Sequence, residues 1–407
     1  MSRQTGHSRL LIYSHDSFGL GHLRRCRRIA HSLVGHREDL SVIILSGSPI
    51  IGSFDFRTRV DFVRVPGVIK LRNGDYTSLS LHIDITQTIA LRSSIVRHTA
   101  EIFDPDVFIV DKEPLGLRGE VRETLELLHA RGATLVLGLR DVMDDPSQLA
   151  PEWERKNAVS ALKEFYDEIW VYGLPQICEP LAGIELPHSV RRKITYTGYL
   201  GRETDGAAPT TPQHNLIDEP YLLVTPGGGG DGVELVDWVL SAYEADPTMP
   251  YNALIVLGPF MQNEDQADFQ ARAERLPKVS AITFEARIEE LIRKASGVVA
   301  MGGYNTFCEI LSFDKPSIIV PRVRPRLEQF IRASRAAELG LVTMLPIDGP
   351  RDPRVMATAL RHLPQQPRPS EVVIPGLLDG LENVNRLVAR RIEGSARPRM
   401  GLARATP

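Results

Sequence analysis

The chain has 407 residues, of which 43% are hydrophobic and 24% charged, and its formal net charge is −3. That length exceeds one ordinary core and reads as two or three globular units, and the near-balanced charge supplies no basic field for nucleic acid. Cys26, Cys178 and Cys308 lie far apart without paired spacing, which excludes a disulfide framework or a zinc module and fits a reducing cytosol.

The first nine residues are polar and lead straight into an apolar run, so no signal peptide is expected. No apolar run approaches the roughly 18–20 residues that span a bilayer. The expected location is the cytoplasm, with peripheral contact at the inner face of a membrane left open. Short Leu-rich or β-branched runs then recur at 10–14, 42–46, 61–65, 107–111, 134–138, 169–172 and 194–197. Each is continuously apolar, as in parallel strands covered on both faces. Between them lie helical patterns, clearest in Leu23, Cys26, Ile29, Ala30 and Leu33, and again over 120–130 in Val121, Leu125, Leu127 and Leu128. Alternation of this kind predicts an α/β doubly wound sheet.

Residues 201–220, GRETDGAAPTTPQHNLIDEP, are polar and rich in Pro, Thr and Gly, and read as a linker. The strand pattern restarts at 221–225, 253–257, 281–284, 297–301, 317–320 and 341–344, again with helices between. The organisation expected is an N-terminal domain over 1–200, a linker over 201–220, a C-terminal domain over 221–393 and a disordered tail over 394–407.

Four motifs follow strands, and ligands of open α/β sheets bind beyond the carboxyl ends of strands. The first is HDSFGLGHLRR at 15–25. Gly19 and Gly21 have no third glycine after them and the second strand ends without an acidic residue, so a dinucleotide fingerprint is disfavoured. His22 falls in the first turn of a helix, where the dipole favours the neutral, proton-accepting imidazole; a cap or packing role is the ordinary alternative. Arg24, Arg25, Arg27 and Arg28 are a solvated face by default, or a contact for phosphate or lipid headgroups. The second motif, TPGGGGDG, places Gly227, Gly228, Gly229 and Gly230 between a strand and a helix. Without Cβ atoms their N–H groups can surround a diphosphate at the helix start; the ordinary alternative is a flexible turn. There is no GK[ST], so it is not a P-loop.

The third motif is MGGYNTFCEI at 301–310. Gly302 and Gly303 admit a phosphate, a helix is expected to start near Asn305 or Thr306, and the Thr306 hydroxyl can donate. Glu309, at i+3 from Thr306, can accept both hydroxyls of a ribose, or close a capping box. In the fourth, VPRVRPRLEQFIRA at 320–333, Glu328 and Gln329 arrive as a helix starts and can bind sugar hydroxyls, or serve only that helix terminus. Asp104-Pro-Asp106 looks like a metal-holding DxD but precedes its strand, at the wrong end of the sheet, so no metal role is assigned.

Gly19-x-Gly21-His22, the 227–230 glycines, Gly-Gly-x-x-Thr-x-x-Glu at 302–309, Lys315-Pro316 with Pro321, and Glu328-Gln329 together resemble glycosyltransferases of the MurG type. The match follows the family's order in both halves and is most specific over 302–329. It implies a GT-B architecture: two Rossmann-like domains facing across a cleft, with the nucleotide sugar held by the C-terminal one and no metal or cofactor. The resemblance further implies that Gly227–Gly230 and Gly302-Gly303 contact the diphosphate, with Thr306 nearby. Glu309 would bind the ribose, Gln329 the donor sugar with Glu328 beside it on the donor side, and the backbone at Phe284-Glu285 the base. His22 would serve the reaction centre, with Gly19, Gly21, Asp111 and Glu113 on the acceptor side. Where MurG has a second glycine-rich acceptor segment, this chain reads VDKEPLG at 110–116, so the acceptor is left open among lipid-linked, saccharide and small molecules. GxGHxxRC at 19–26 also resembles the nucleotide-sugar hydrolase of pseudaminic acid synthesis. The leading expectation is transfer from a UDP-sugar such as UDP-N-acetylglucosamine, with inversion. Hydrolysis with water as acceptor, or nucleotide-sugar binding without catalysis, are the alternatives.

Overall fold

The computed structural model describes residues 7–15, 21–71, 75–202, 219–285, 287–345, 349 and 351–394. Gly19, most of the expected linker and the residues after 394 lie outside that set. In the N-terminal half the strands are β1 (Ser8–Ser14), β2 (Leu40–Ser46), β3 (Val60–Arg64), β4 (Val68–Lys70), β5 (Tyr76–Ser78), β6 (Val107–Asp111), β7 (Thr134–Arg140), β8 (Glu168–Tyr172) and β9 (Ile194–Tyr196). Seven of them form one sheet in the order β3-β2-β1-β6-β7-β8-β9, every pair parallel. The antiparallel β4–β5 hairpin stands apart. In the C-terminal half β10 (Tyr221–Thr225), β11 (Asn252–Val256), β12 (Val279–Ile282), β13 (Gly297–Ala300), β14 (Ser317–Ile319) and β15 (Thr343–Met344) form a second sheet. Its order is β12-β11-β10-β13-β14-β15, and it too is parallel throughout.

The continuous apolar runs dictate this architecture. In β1, Leu10 and Ile12 enter one core while Leu11 and Tyr13 enter another, as the two-residue period requires. Burying each such leucine or isoleucine contributes about 1.5–3 kcal/mol. Leu223 and the pair Leu222, Val224 divide the same way in β10. Both sheets reverse their strand order beside the first strand of the half, between β1 and β6 and between β10 and β13. Those are the switch points at which such sheets open a crevice, and the glycine-rich motifs sit there.

The helices that matter below are α1 (Gly21–His36), α2 (Ile85–Phe103), α3 (Val233–Ala245), α4 (Tyr304–Ser312), α5 (Glu328–Glu338) and α6 (Gly380–Gly394). Two expected boundaries shift. The strand expected at 281–284 is β12, Val279–Ile282, which leaves Phe284 exposed in the loop beyond it. Helix α4 starts at Tyr304 with Gly303 as its N-cap, because the Asn305 side chain bonds Gly21 O (3.0 Å) instead of capping. Helix α6 returns to the N-terminal half, where Asn385 Nδ2 donates to Ser32 Oγ (2.9 Å) and Arg391 pairs with Glu168. Among the described residues no helix is long and apolar enough to cross a membrane.

Candidate active site

His22 is the second residue of α1, directly beyond the carboxyl end of β1. Its Nδ1 pairs with Asp111, the last residue of the neighbouring strand β6. Arg25, one turn further along α1, grips the same carboxylate, Nε to Oδ1 at 2.9 Å and Nη2 to Oδ1 at 2.6 Å. Arg25 and Asp111 are both buried. Burial alone would raise Asp111, but the charge of Arg25 and the hydrogen bonds from His22 and Arg25 hold it far below the ordinary carboxylate range. Burial pulls His22 down to about 4, against Asp111 and with help from Arg25 and Lys112. The imidazole is therefore neutral at ordinary pH, its Nδ1–H donated to a permanent carboxylate and its Nε2 lone pair available. A neutral imidazole oriented by a buried carboxylate is the arrangement of a general base.

Across from it lies α4 of the second half, whose Asn305 reaches Gly21 O. Gly227 to Gly230 follow β10 and lead into α3, and Gly302-Gly303 follow β13 and lead into α4. Glu309 is buried on α4, where its Oε1 accepts from Arg24 of α1 at 2.7 Å. Glu328 and Gln329 open α5; Glu328 accepts from Arg322 (2.7 Å), and Gln329 accepts from the Arg322 backbone N–H (3.1 Å).

Residues 222–346 match the glycosyltransferase family 28 C-terminal domain. An uncharacterized glycosyltransferase of Methanosarcina acetivorans is 24% identical over 400 residues, 92% of this chain and 96% of that protein. Medicago truncatula UGT71G1, solved with UDP-glucose, superposes with a TM-score of 0.62 at 13% identity, over 95% of this chain and 98% of its own. Acinetobacter baumannii MurG superposes at 0.56 with 12% identity, over 94% and 99%. The fold is that of the GT-B glycosyltransferases.

In this GT-B frame the halves are tied across the cleft by charged side chains. Arg24 bonds Glu309 and also Glu289 (2.6 Å), and burial raises the Glu309 carboxyl against the pull of Arg24. Arg332 of α5 makes a buried bidentate pair with Asp141, just past β7, at 2.6 and 2.7 Å, and donates to Gly302 O at 2.9 Å. Tyr304 lies between Arg25 and Arg332, 5.5 and 5.8 Å from their guanidinium carbons to its ring centroid. Arg326 reaches Asp144 and Glu152.

The structure brings His22, Asp111, Gly21 and Glu309 together around the contact of α1 with α4, and not all of them have open hands. Gly21 faces α4 through the Asn305 contact. Glu113 is buried and paired to Lys156 Nζ at 2.8 Å, which with Lys112 holds its carboxyl at about 2 against burial. Glu285 accepts from the Arg287 backbone N–H. Thr306 is buried in the first turn of α4. The four arginines of α1 are not a free solvated face: Arg24 and Arg25 serve the cleft, Arg27 Nε donates to Asp55 O (2.7 Å) and Arg28 Nε to Gly201 O (3.2 Å). Asp106 accepts from Arg9 N at the opposite sheet end. Asp141, Arg332 and the role of Arg25 escape motif reading. Arg25 stands at i+3 from His22 and Asp141 directly follows a strand, so both signals were available.

The glycines separate into two kinds. Gly229 has φ +89°, and a Cβ there would lie 2.5 Å from Leu257 O, so the chain's own packing demands glycine. Gly303 has φ −58°, and a Cβ there would meet nothing within 4 Å. Gly303→Ala is therefore expected to change stability by no more than about 0.5 kcal/mol while weakening donor binding about tenfold or more if a diphosphate seats against that backbone. Thermal melts and calorimetric titration of both variants check this. Gly229→Ala should do the reverse and destabilise the fold.

Proposed function

We propose that the protein is a metal-independent, inverting glycosyltransferase of the MurG type, working in the cytoplasm. It would move a sugar from a UDP-sugar such as UDP-N-acetylglucosamine to an acceptor hydroxyl. The observation that carries this reading is the His22–Asp111–Arg25 group at one cleft wall, beside the helix whose Gly21 and Arg24 touch α4, the helix into which the Gly302-Gly303 loop leads. The likeness to MurG and to a chain solved with UDP-glucose supports the choice of donor.

His22 Nε2 takes the proton of the attacking hydroxyl as its oxygen forms a bond to the anomeric carbon. The bond from that carbon to the β-phosphate oxygen breaks, and the nucleoside diphosphate leaves. Backbone N–H groups at the starts of α3 and α4 meet the growing negative charge. A single displacement inverts the anomeric centre.

Incubation with a panel of UDP- and dTDP-sugars, with and without cell extract, tests the reading through nucleoside diphosphate release. Release that depends on extract and yields a glycosylated product is the expected result. Free sugar without extract makes the protein a hydrolase, and binding without turnover makes it a sensor. Glu309→Ala is expected to weaken UDP-sugar binding by about 1.5–3 kcal/mol, the size of a charge-assisted hydrogen bond. Unchanged calorimetric affinity would leave Glu309 as the partner of Arg24 only.

A further inference from the structure

Beyond the dyad, His15, Lys112 and Arg140 lie at the carboxyl ends of adjacent strands, and among the described residues none of the three side chains makes a hydrogen bond. His15 follows β1, Lys112 follows β6 and Arg140 ends β7. Two residues past the Tyr13–Val110 pair of β1 and β6 lie His15 and Lys112. The Lys112 backbone N–H donates to Gly138 O at 2.8 Å, two residues before Arg140. His15 is 5% exposed and its Nδ1 has no hydrogen-bond partner among the described residues. The His15 ring lies 5.8 Å from that of His22. Arg140 Nε is likewise buried and unpartnered. The Lys112 side chain is 14% exposed, and its ammonium has Glu113 4.0 Å away as its nearest carboxylate. That carboxylate is already held by Lys156 at 2.8 Å. Glu328, the acidic group that faces Arg140 from α5, is bonded to Arg322.

Burial holds the His15 imidazole well below its ordinary range, so it is neutral. The charges of the cluster are those of Lys112 and Arg140, and the carboxylates that face them, Glu113 and Glu328, are each shared with a closer cation, although buried basic groups are ordinarily paired. Lys112 is also held at φ +70°, a conformation that non-glycine residues rarely adopt and that gathers at ligand sites. Burial brings Lys112 down to about 8, with Arg140 adding to the effect against Glu113. An arriving anion would reverse that cost.

We propose that Lys112 and Arg140, with His15, form an anion subsite that holds a carboxylate or phosphate group of the substrate beside the His22 base. The proposal rests on the transferase reading for the word substrate, and it makes the reaction one on an anionic molecule. The anion has two possible sources, an acceptor or a uronic acid on the donor sugar, and the experiment separates them.

Inorganic phosphate is titrated into the protein at constant ionic strength, with and without saturating UDP-glucose, and UDP-glucose and UDP-glucuronate affinities are compared. An acceptor-side subsite predicts that phosphate still binds with UDP-glucose present, with no preference for the glucuronate. A donor-side subsite predicts about tenfold tighter binding of UDP-glucuronate, the size of a charged contact. In either case Lys112→Met and Arg140→Gln should each remove the phosphate binding or the preference while UDP affinity holds. Arg140→Lys, which keeps the charge if Arg140→Gln fails to fold, should retain part of it. Phosphate binding and donor preference absent from the wild type, or unchanged in Lys112→Met, would overturn the proposal. Failure of UDP-glucose and UDP to bind, with phosphate binding intact and dependent on Lys112, would overturn the transferase reading and leave the subsite standing.

Discussion

Replacing His22 with alanine is expected to lower turnover by about 10²–10⁴-fold, the usual contribution of a general base, while donor affinity changes little. The nucleotide is assigned to the loops of the second sheet, and His22 belongs to the first. The pH dependence provides a second readout. Burial and Arg25 bring the imidazole to about 4 in spite of Asp111, and Asp111 stays ionised well below that because Arg25 and His22 outweigh its burial. A base must be deprotonated to act, so the free enzyme's kcat/KM should hold level down through neutral pH. It should then fall as pH drops through about 4 and His22 is protonated, and the alanine variant should lack that limb. A variant with weakened donor binding and normal turnover at saturation would make His22 a binding residue. Full activity would remove it from the chemistry.

The two parallel sheets were legible because buried parallel strands write themselves as short unbroken apolar runs, such as 107–111 and 221–225. The β4–β5 hairpin was not: its strands are three residues each, too short to write an apolar run, and β5 is only half-buried. Helix α2 also escaped notice, since its 19 residues bury only Thr88, Arg92, Val96 and Ala100, a thin stripe that includes an arginine paired to Glu120. At the site, glycines after strands mark loops whatever their partners, so the four motifs could be found one by one. What links them could not be read, because it depends on pairs far apart in the chain. Arg24 with Glu309 is separated by 285 residues and Asp141 with Arg332 by 191. From sequence alone Glu309 reads as a ribose ligand or a cap, and the α1 arginines as a solvated face or a phosphate contact. Only the packing of α1 against α4 turns them into partners.

The Asp141–Arg332 pair carries the largest expected effect on stability. Both side chains are fully buried, the carboxylate also accepts from Tyr199 Oη at 2.7 Å, and the guanidinium also donates to Gly302 O. Asp141→Ala leaves the Arg332 charge buried without its counterion, a change that ordinarily costs about 3–5 kcal/mol. A large fall in urea midpoint is therefore expected. The double variant Asp141→Leu with Arg332→Met removes both charges, and apolar replacements of such pairs are often neutral or stabilising, so it should recover most of the lost stability. Function should not recover with it. Arg332 anchors the Gly302 carbonyl just before α4, and Asp141 ties α5 to the first sheet, so the double variant removes the buried tie between the two walls of the cleft and leaves only the partly exposed ones of Arg24 and Arg326. Its donor affinity and turnover should stay depressed while its melting transition returns. If the double variant is as unstable as Asp141→Ala, packing at this position outweighs the charges. If it regains activity together with stability, the pair holds the fold alone and plays no part in setting the cleft.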